Sequence, residues 1–296
     1  MNAPPGQELE NLPGISRAIR EVNAQIARLA ASDEAIVFIS GEPGSERALA
    51  ARILHVRSPR AAKRFLRLTA NWKLPADFGA QVKSAAGGAV FLNLVRDFPV
   101  DMQYILLELA LDKTFTDPVS DEEISADVRL ILTTTMDVST LCETSQLLPE
   151  LREVLDHAHI EIPPLSRRRE DIPALARFAI QRARETGQTP AESVDRRVLA
   201  VLRAYTWPGN AEELLLVVAQ AALKASGRVI TLNDLPEDFL QKLPAEVWKV
   251  AKAIRAEEFA FAATAHDEEG APEPAPELET LPAPGMADMP TERSAQ

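Results

Sequence analysis

Apolar runs and polar spacers succeed one another along the first half of the chain with two different periods. Apolar runs of strand length alternate with longer helical patterns through 35–40, 49–55, 65–69, 89–92, 102–111 and 128–133. This alternation predicts an α/β fold with a largely parallel sheet flanked by helices. Beyond Pro163-Pro164 the strand-like runs cease, and helices are expected at 172–185, 194–204, 211–225 and 236–242. These would make a small all-helical second domain. A further helix is expected over 245–264, where Val247, Trp248, Ala251, Ile254 and Phe259 recur at roughly helical spacing and offer a face to the body or to a partner.

Composition narrows the function classes. With 46% hydrophobic and 26% charged residues over 296 positions, the chain can bury the core of one large domain or two smaller ones. From Asp267 onward eight acids stand against Arg293 alone, so −7 of the net charge of −12 belongs to a Pro/Ala/Glu-rich tail, 266–296, whose composition is that of a disordered segment. The remaining mild negative charge argues against a broad phosphate-binding face, and direct DNA binding is not indicated. No run reaches the length of a membrane span and the first residues lack a secretory pattern, so a cytoplasmic location is expected. The single cysteine, Cys142, excludes an internal disulfide and reads as a buried thiol.

One stretch carries candidate chemistry. In IVFISGEPGSERALAARILHVRSPRA, residues 36–61, a buried strand is followed by a Gly/Pro/Ser loop and an amphipathic helix, the context a phosphate-binding loop needs. The loop, with GGAVFL at 87–92, PPL and RREDIP between 163 and 173, and YTWPGN at 205–210, resembles the AAA+ module of bacterial sigma-54 transcriptional activators over about 12–239. The resemblance implies an AAA+ P-loop-like α/β core at 12–165 and a helical lid at 166–243; the C-terminal helix, 244–265, and the acidic tail, 266–296, lie outside it.

The departures from that pattern bear on function. Gly41, Gly44 and Ser45 keep the loop's character, but Glu46 stands where the family has the glycine before the lysine, and Arg47 stands at the lysine. A carboxylate a few ångströms from a triphosphate is repelled by roughly 1 to 4 kcal/mol at intermediate dielectric. Pairing of Arg47 with Glu46 or a neighbouring acid is the plainer expectation. At the end of the 90–92 strand the family's Asp-Glu, which holds magnesium and polarises water, is matched by Asn93-Leu94; the nearby Asp97 reads as a helix N-terminal residue. The polar sensor position is Thr135, the two inter-subunit arginines become Leu148 and Val154 with Arg152 displaced beside them, and the lid arginine is Glu212. Leucine has no acid-base capacity, and electrostatic stabilisation is nearly the whole of phosphoryl-transfer catalysis.

The family's sigma-54-contacting GAFTGA loop has no room in 71–86, so contact with sigma-54 is not expected, and no helix-turn-helix pattern follows residue 239. The expectation is therefore a catalytically inactive AAA+-like regulatory protein, a pseudo-ATPase without a required cofactor or metal. Its partner would be a protein: an AAA+ homologue, a signalling protein or a second copy. The alternative is a switch that holds ATP or ADP weakly without turnover. His157 and His159 read as edge residues on one face of a strand, Arg167, Arg168 and Arg169 as a basic run making local ion pairs, and Trp207-Pro208 as lid packing.

Overall fold

The computed structural model describes residues 10–68, 77–93, 100–117, 120–136, 140, 143, 147–249 and 251–252. It begins with α1 (Arg17–Ala30), β1 (Ile36–Ser40), α2 (Arg47–Val56) and β2 (Phe65–Leu68). Next come α3 (Phe78–Ser84), β3 (Ala89–Asn93), α4 (Val100–Leu111) and the antiparallel pair β4 (Thr114–Thr116) and β5 (Glu123–Ser125). β6 (Arg129–Thr134), α5 (Pro149–His157) and β7 (His159–Glu161) complete the α/β part. The main sheet runs β2-β3-β6-β1-β7 with every pairing parallel. Expected Leu94, Asp97 and Cys142, the tail and the C-terminal helix from 253 onward lie outside the described residues.

Every residue of β1 and of β6 is buried, as a parallel sheet covered on both faces requires. Alternate residues feed two cores. Phe38, Leu92, Leu130 and Leu132 pack with Phe78, Leu106 and Phe115 on one face. Val37, Ile39, Phe91 and Ile131 pack with Ile19, Ile26, Ile53 and Leu54 on the other. Each such fully buried side chain is worth about 1.5–3 kcal/mol relative to exposure. α1 is absent from the sequence-based expectation, although Ile19, Val22, Ile26, Leu29 and Ala30 share one buried face and Ser16 caps it by accepting from the Ile19 N–H. The Gly-Gly before β3 has a packing cause, since a Cβ on Gly88 would lie 2.0 Å from the Arg64 carbonyl oxygen.

Two 3-10 turns, Leu165–Arg167 and Arg169–Asp171, lead into α6 (Ile172–Glu185), β8 (Ser193–Val194), α7 (Arg196–Ala204), α8 (Asn210–Lys224), β9 (Val229–Ile230) and α9 (Glu237–Gln241). This part departs from the all-helical expectation: β8 and β9 pair in parallel, and Val194, expected to open a helix, belongs to β8. α7 begins later because Asp195 caps it, its carboxylate accepting from the Arg197 N–H at 2.7 Å. Trp207 is buried, donates its indole N–H to the Leu202 carbonyl at 2.7 Å and stacks on Phe239 with centroids 5.3 Å apart. Trp207 is therefore a packing residue, as the sequence suggests. Beyond α9, Val247 and Trp248 pack on the lid core, and Ala251 is buried in it. No helix among the described residues is long and apolar enough to cross a membrane.

Candidate functional site

The glycine-bearing loop leaves β1 at the C-terminal edge of the sheet. It is anchored there by the Gly41 N–H donating to the Thr134 carbonyl at 3.2 Å, and it turns through Ser45 N–H to Glu42 O at 3.1 Å. Gly44 has φ 76° and Glu46 has φ 74°. A side chain in this left-handed region costs roughly 1–2 kcal/mol, and glycine avoids that cost. Glu46 is the N-cap of α2 but makes no capping hydrogen bond.

Its carboxylate is turned into the protein, with 4% of the side chain exposed, and meets the fully buried Arg168 at 3.4 Å. Arg168 also donates through Nε to the Pro163 carbonyl at 3.1 Å, and its Nη1 lies 4.0 Å from Asp171 Oδ2. Asp171 in turn accepts from the Ile15 and Ser16 amides at 2.6 Å each and from the Ser16 hydroxyl at 2.7 Å. A continuous buried polar path thus joins the cap of α1, the turn before the lid and the loop. Burial pushes the Glu46 carboxyl up to about 7, with Asp171 adding to the rise and Arg168 opposing it. Glu46 pairs with Arg168 and not with Arg47, which corrects the expected pairing. Arg168 makes the local ion pair expected of the basic run, with Asp171, and does so from a buried position between the 3-10 turns.

The lid closes over the loop from the other side. Asn210, at φ 52°, donates through Nδ2 to Glu42 Oε2 at 3.0 Å and to the Pro43 carbonyl at 2.9 Å, while its Oδ1 accepts from the Leu165 N–H at 2.8 Å. The Glu212 N–H donates to Gly44 O at 3.0 Å. A Cβ on Gly44 would sit 2.1 Å from the Gly209 carbonyl oxygen, so glycine alone permits this approach. Arg47 starts α2 with its pKa lowered by burial, against which the Glu212 carboxylate acts in the opposite direction. Ser45 Oγ, Glu46 Oε1, Arg47 Nη1 and Arg168 Nη1 are all buried without a hydrogen-bond partner.

At the sheet edge the Thr133 hydroxyl donates to Asn93 Oδ1 at 2.9 Å. The hydroxyl that reaches the end of β3 is therefore Thr133; Thr135, the expected sensor, is exposed in the bend after β6. Leu148 caps α5 and packs with Val154 against the core below the sheet, while Arg152 is exposed. The histidines do not alternate on one strand. His157 ends α5 and lies 3.4 Å from Glu34, whereas His159, in β7, meets Ser40 Oγ at 2.7 Å and is held neutral-leaning by burial. No cluster of three or more potential metal-ligating side chains occurs among the described residues. As a cradle for a magnesium triphosphate the donor set is mismatched: a buried carboxylate stands among the phosphate donors, a second acts on Arg47, and the end of β3 offers a neutral amide already bonded to Thr133.

The loop, the turn before the lid and Asn210 all fall in segments quoted from the sequence, but their mutual contacts span up to 168 positions and no local pattern announces them. The family model of the sigma-54 interaction domain matches residues 14–165, and that of the AAA+ ATPase lid domain matches 166–250. The chain is similar to the regulatory protein AtoC of Escherichia coli (strain K12), 29% identical over 256 residues that cover 80% of this chain and 54% of AtoC. It is 31% identical to the DNA-binding transcriptional regulator NtrC of the same organism over 254 residues, 79% of this chain and 54% of NtrC. The chain thus spans about half the length of the curated relatives it matches. Among solved structures, NtrX from Brucella abortus in complex with ATP superposes with TM-score 0.66 at 25% identity, covering 82% of this chain and 62% of that one. The same protein in complex with ADP gives TM-score 0.65 at 25% identity, with coverage of 88% and 64%.

Proposed function

The chain belongs to the sigma-54 interaction domain family, and from that premise we propose that it is a catalytically inactive relative, a pseudo-ATPase that regulates transcription or signalling by binding another protein. One observation carries the reading. At the end of β3, where the family's acids would hold magnesium and polarise water, Asn93 offers a neutral amide oxygen bonded to Thr133, and the next residue in sequence is leucine. Neither side chain can take a proton from an attacking water. Glu46 and Glu212 add negative charge around a loop whose ligand would be anionic.

The lid supplies the surface for the partner. Leu216 and Leu223 lie seven positions apart on α8 and are 58% and 51% exposed, so one face of this helix is apolar and open in the single chain. A second copy or an AAA+ homologue of the kind this family contains would cover it. A second reading, weak ATP or ADP binding without turnover, is favoured by the unpartnered Ser45 Oγ and Arg47 Nη1. Phosphate release from Mg²⁺-ATP, measured together with light scattering of the protein alone and mixed with an NtrC-type AAA+ module, tests the proposal. Background release with association is the expected result. Turnover above background, or a strict monomer that leaves the NtrC-type module unaltered, overturns it.

A further inference from the structure

The acid in the phosphate loop has a geometry of its own. Glu46 occupies a left-handed position next to the first helical residue, and its side chain is directed to a guanidinium 122 residues away that no solvent reaches. Ser45 Oγ and Arg47 Nη1, from the residues on either side of it in sequence, and Arg168 Nη1, on its partner, are buried without a hydrogen-bond partner, as is Glu46 Oε1. Unfilled donors at the start of α2, with a buried guanidinium reaching the same cap residue from the turn before the lid, describe an anion site, and Glu46 Oε2 meets Arg168 alone.

We infer that Glu46 is a built-in anion that competes with phosphate for the buried Arg168 guanidinium, so that removing its negative charge opens the loop to an oxyanion of the polyphosphate class. This deepens the reading of the pocket as non-hydrolytic: the loop retains its donors, and an internal carboxylate keeps a ligand from them. The charged groups facing Glu46 are Arg168 and Asp171 from the turn before the lid, with Arg47 adjacent on α2 and Glu212 of α8 acting on Arg47. Asp171, held by the Ile15 and Ser16 donors, also lies 4.0 Å from Arg168 Nη1, so Glu46 is the second acid at that guanidinium and its state changes the field there. Because burial pushes its carboxyl up to about 7, Glu46 carries its charge at pH 8 and largely loses it at pH 6.

The test is calorimetric titration of the full chain with inorganic tripolyphosphate, without metal, at pH 8 and pH 6. Wild-type protein should give no saturable heat at pH 8 up to about 1 mM ligand, whereas Glu46→Gln should bind with a dissociation constant near ~100 μM, at least about tenfold tighter. Glu46→Gly, which also relieves the left-handed backbone, should behave as the Gln variant does. In wild type the same binding should emerge on going to pH 6, and Glu46→Gln should show far less pH dependence. Arg168→Met in the Gln background should abolish it. Wild type binding as well as Glu46→Gln at pH 8, or no binding by either Glu46 variant while circular dichroism reports a folded chain, overturns the inference. Turnover of ATP by wild type would instead sink the non-hydrolytic reading, and the two failures are told apart because tripolyphosphate binding is read without hydrolysis.

Discussion

Glu46 and Arg168, in the loop after β1 and in the turn before the lid, face each other at 3.4 Å with 4% and 0% of their side chains exposed. Removing one partner of such a pair strands a charge in a low-dielectric site, which costs about 3–5 kcal/mol. Arg168→Met should therefore lower the unfolding free energy at pH 8 by about 3 kcal/mol or more, read as a shift of the urea midpoint. Adding Glu46→Gln should recover most of that loss at the same pH. A double variant no more stable than Arg168→Met would mean that Arg168 acts through its Pro163 and Asp171 contacts instead.

The same carboxyl sets a pH dependence whose sign is fixed. Its pKa rises from 4.5 in the unfolded chain to about 7 in the fold. The folded state binds the proton more tightly, so the contribution of Glu46 to stability is complete below pH 4.5 and is lost as pH rises through 7. Wild type should lose about 3 kcal/mol between pH 4.5 and pH 8 from this group, and Glu46→Gln should remove that slope and be the more stable protein at pH 8. Denaturant titrations of both proteins across this range measure it; parallel curves would contradict it.

Lid docking rests on Gly44 and Asn210. Gly44→Ala combines a left-handed φ of 76° with a Cβ placed 2.1 Å from Gly209 O, so the lid must move away from the loop. Asn210→Ala removes three hydrogen bonds, two to the loop and one from Leu165. Each variant should cost about 2–4 kcal/mol, and amide exchange should rise at 42–47 and 209–213 while β1 and β6 stay protected. Uniform loss of protection across the sheet would show that the lid contact holds the whole molecule rather than the loop.

Asn93→Asp restores a carboxylate at the end of β3 but leaves Leu94, Glu46 and Glu212 unchanged. Phosphate release from Mg²⁺-ATP should stay at background in this variant. Its stability should fall by about 1 kcal/mol or less, since Thr133 can donate to the new carboxylate as it does to the amide. A burst of turnover from this single change would show that the acid at 93 was the one missing part.

Much of the architecture was legible because it is written in local periods. The apolar runs 35–40 and 128–133 read as strands of a parallel sheet and fall on β1 and β6 within a residue at each end, and the 172–185 helix coincides with α6. α1 is not announced by the strand–helix alternation, which begins only at residue 35, although its own apolar stripe is regular. The β8–β9 ladder was illegible since two-residue strands have no period to detect. At the site, the positions of Gly41, Gly44, Ser45, Glu46, Arg47 and Glu212 were readable, but the direction of Glu46 was not. The run 167–169 was legible as making local ion pairs, but the reach of Arg168 to Glu46, 122 positions away, was not.

The path from Ser16 through Asp171 also constrains how the chain is assembled. The α1 cap finds its acceptor 155 residues downstream, so during synthesis the Ile15 and Ser16 amides leave the ribosome long before Asp171 exists. A fragment ending at residue 165, where one family match stops and the next begins, would also lack Arg168 and Asn210. The nascent α/β layer thus lacks the Asp171 fastening of its beginning until the first turns of the lid have been made, a closure of high sequence separation whose chain-entropy cost the local contacts of α1 do not share.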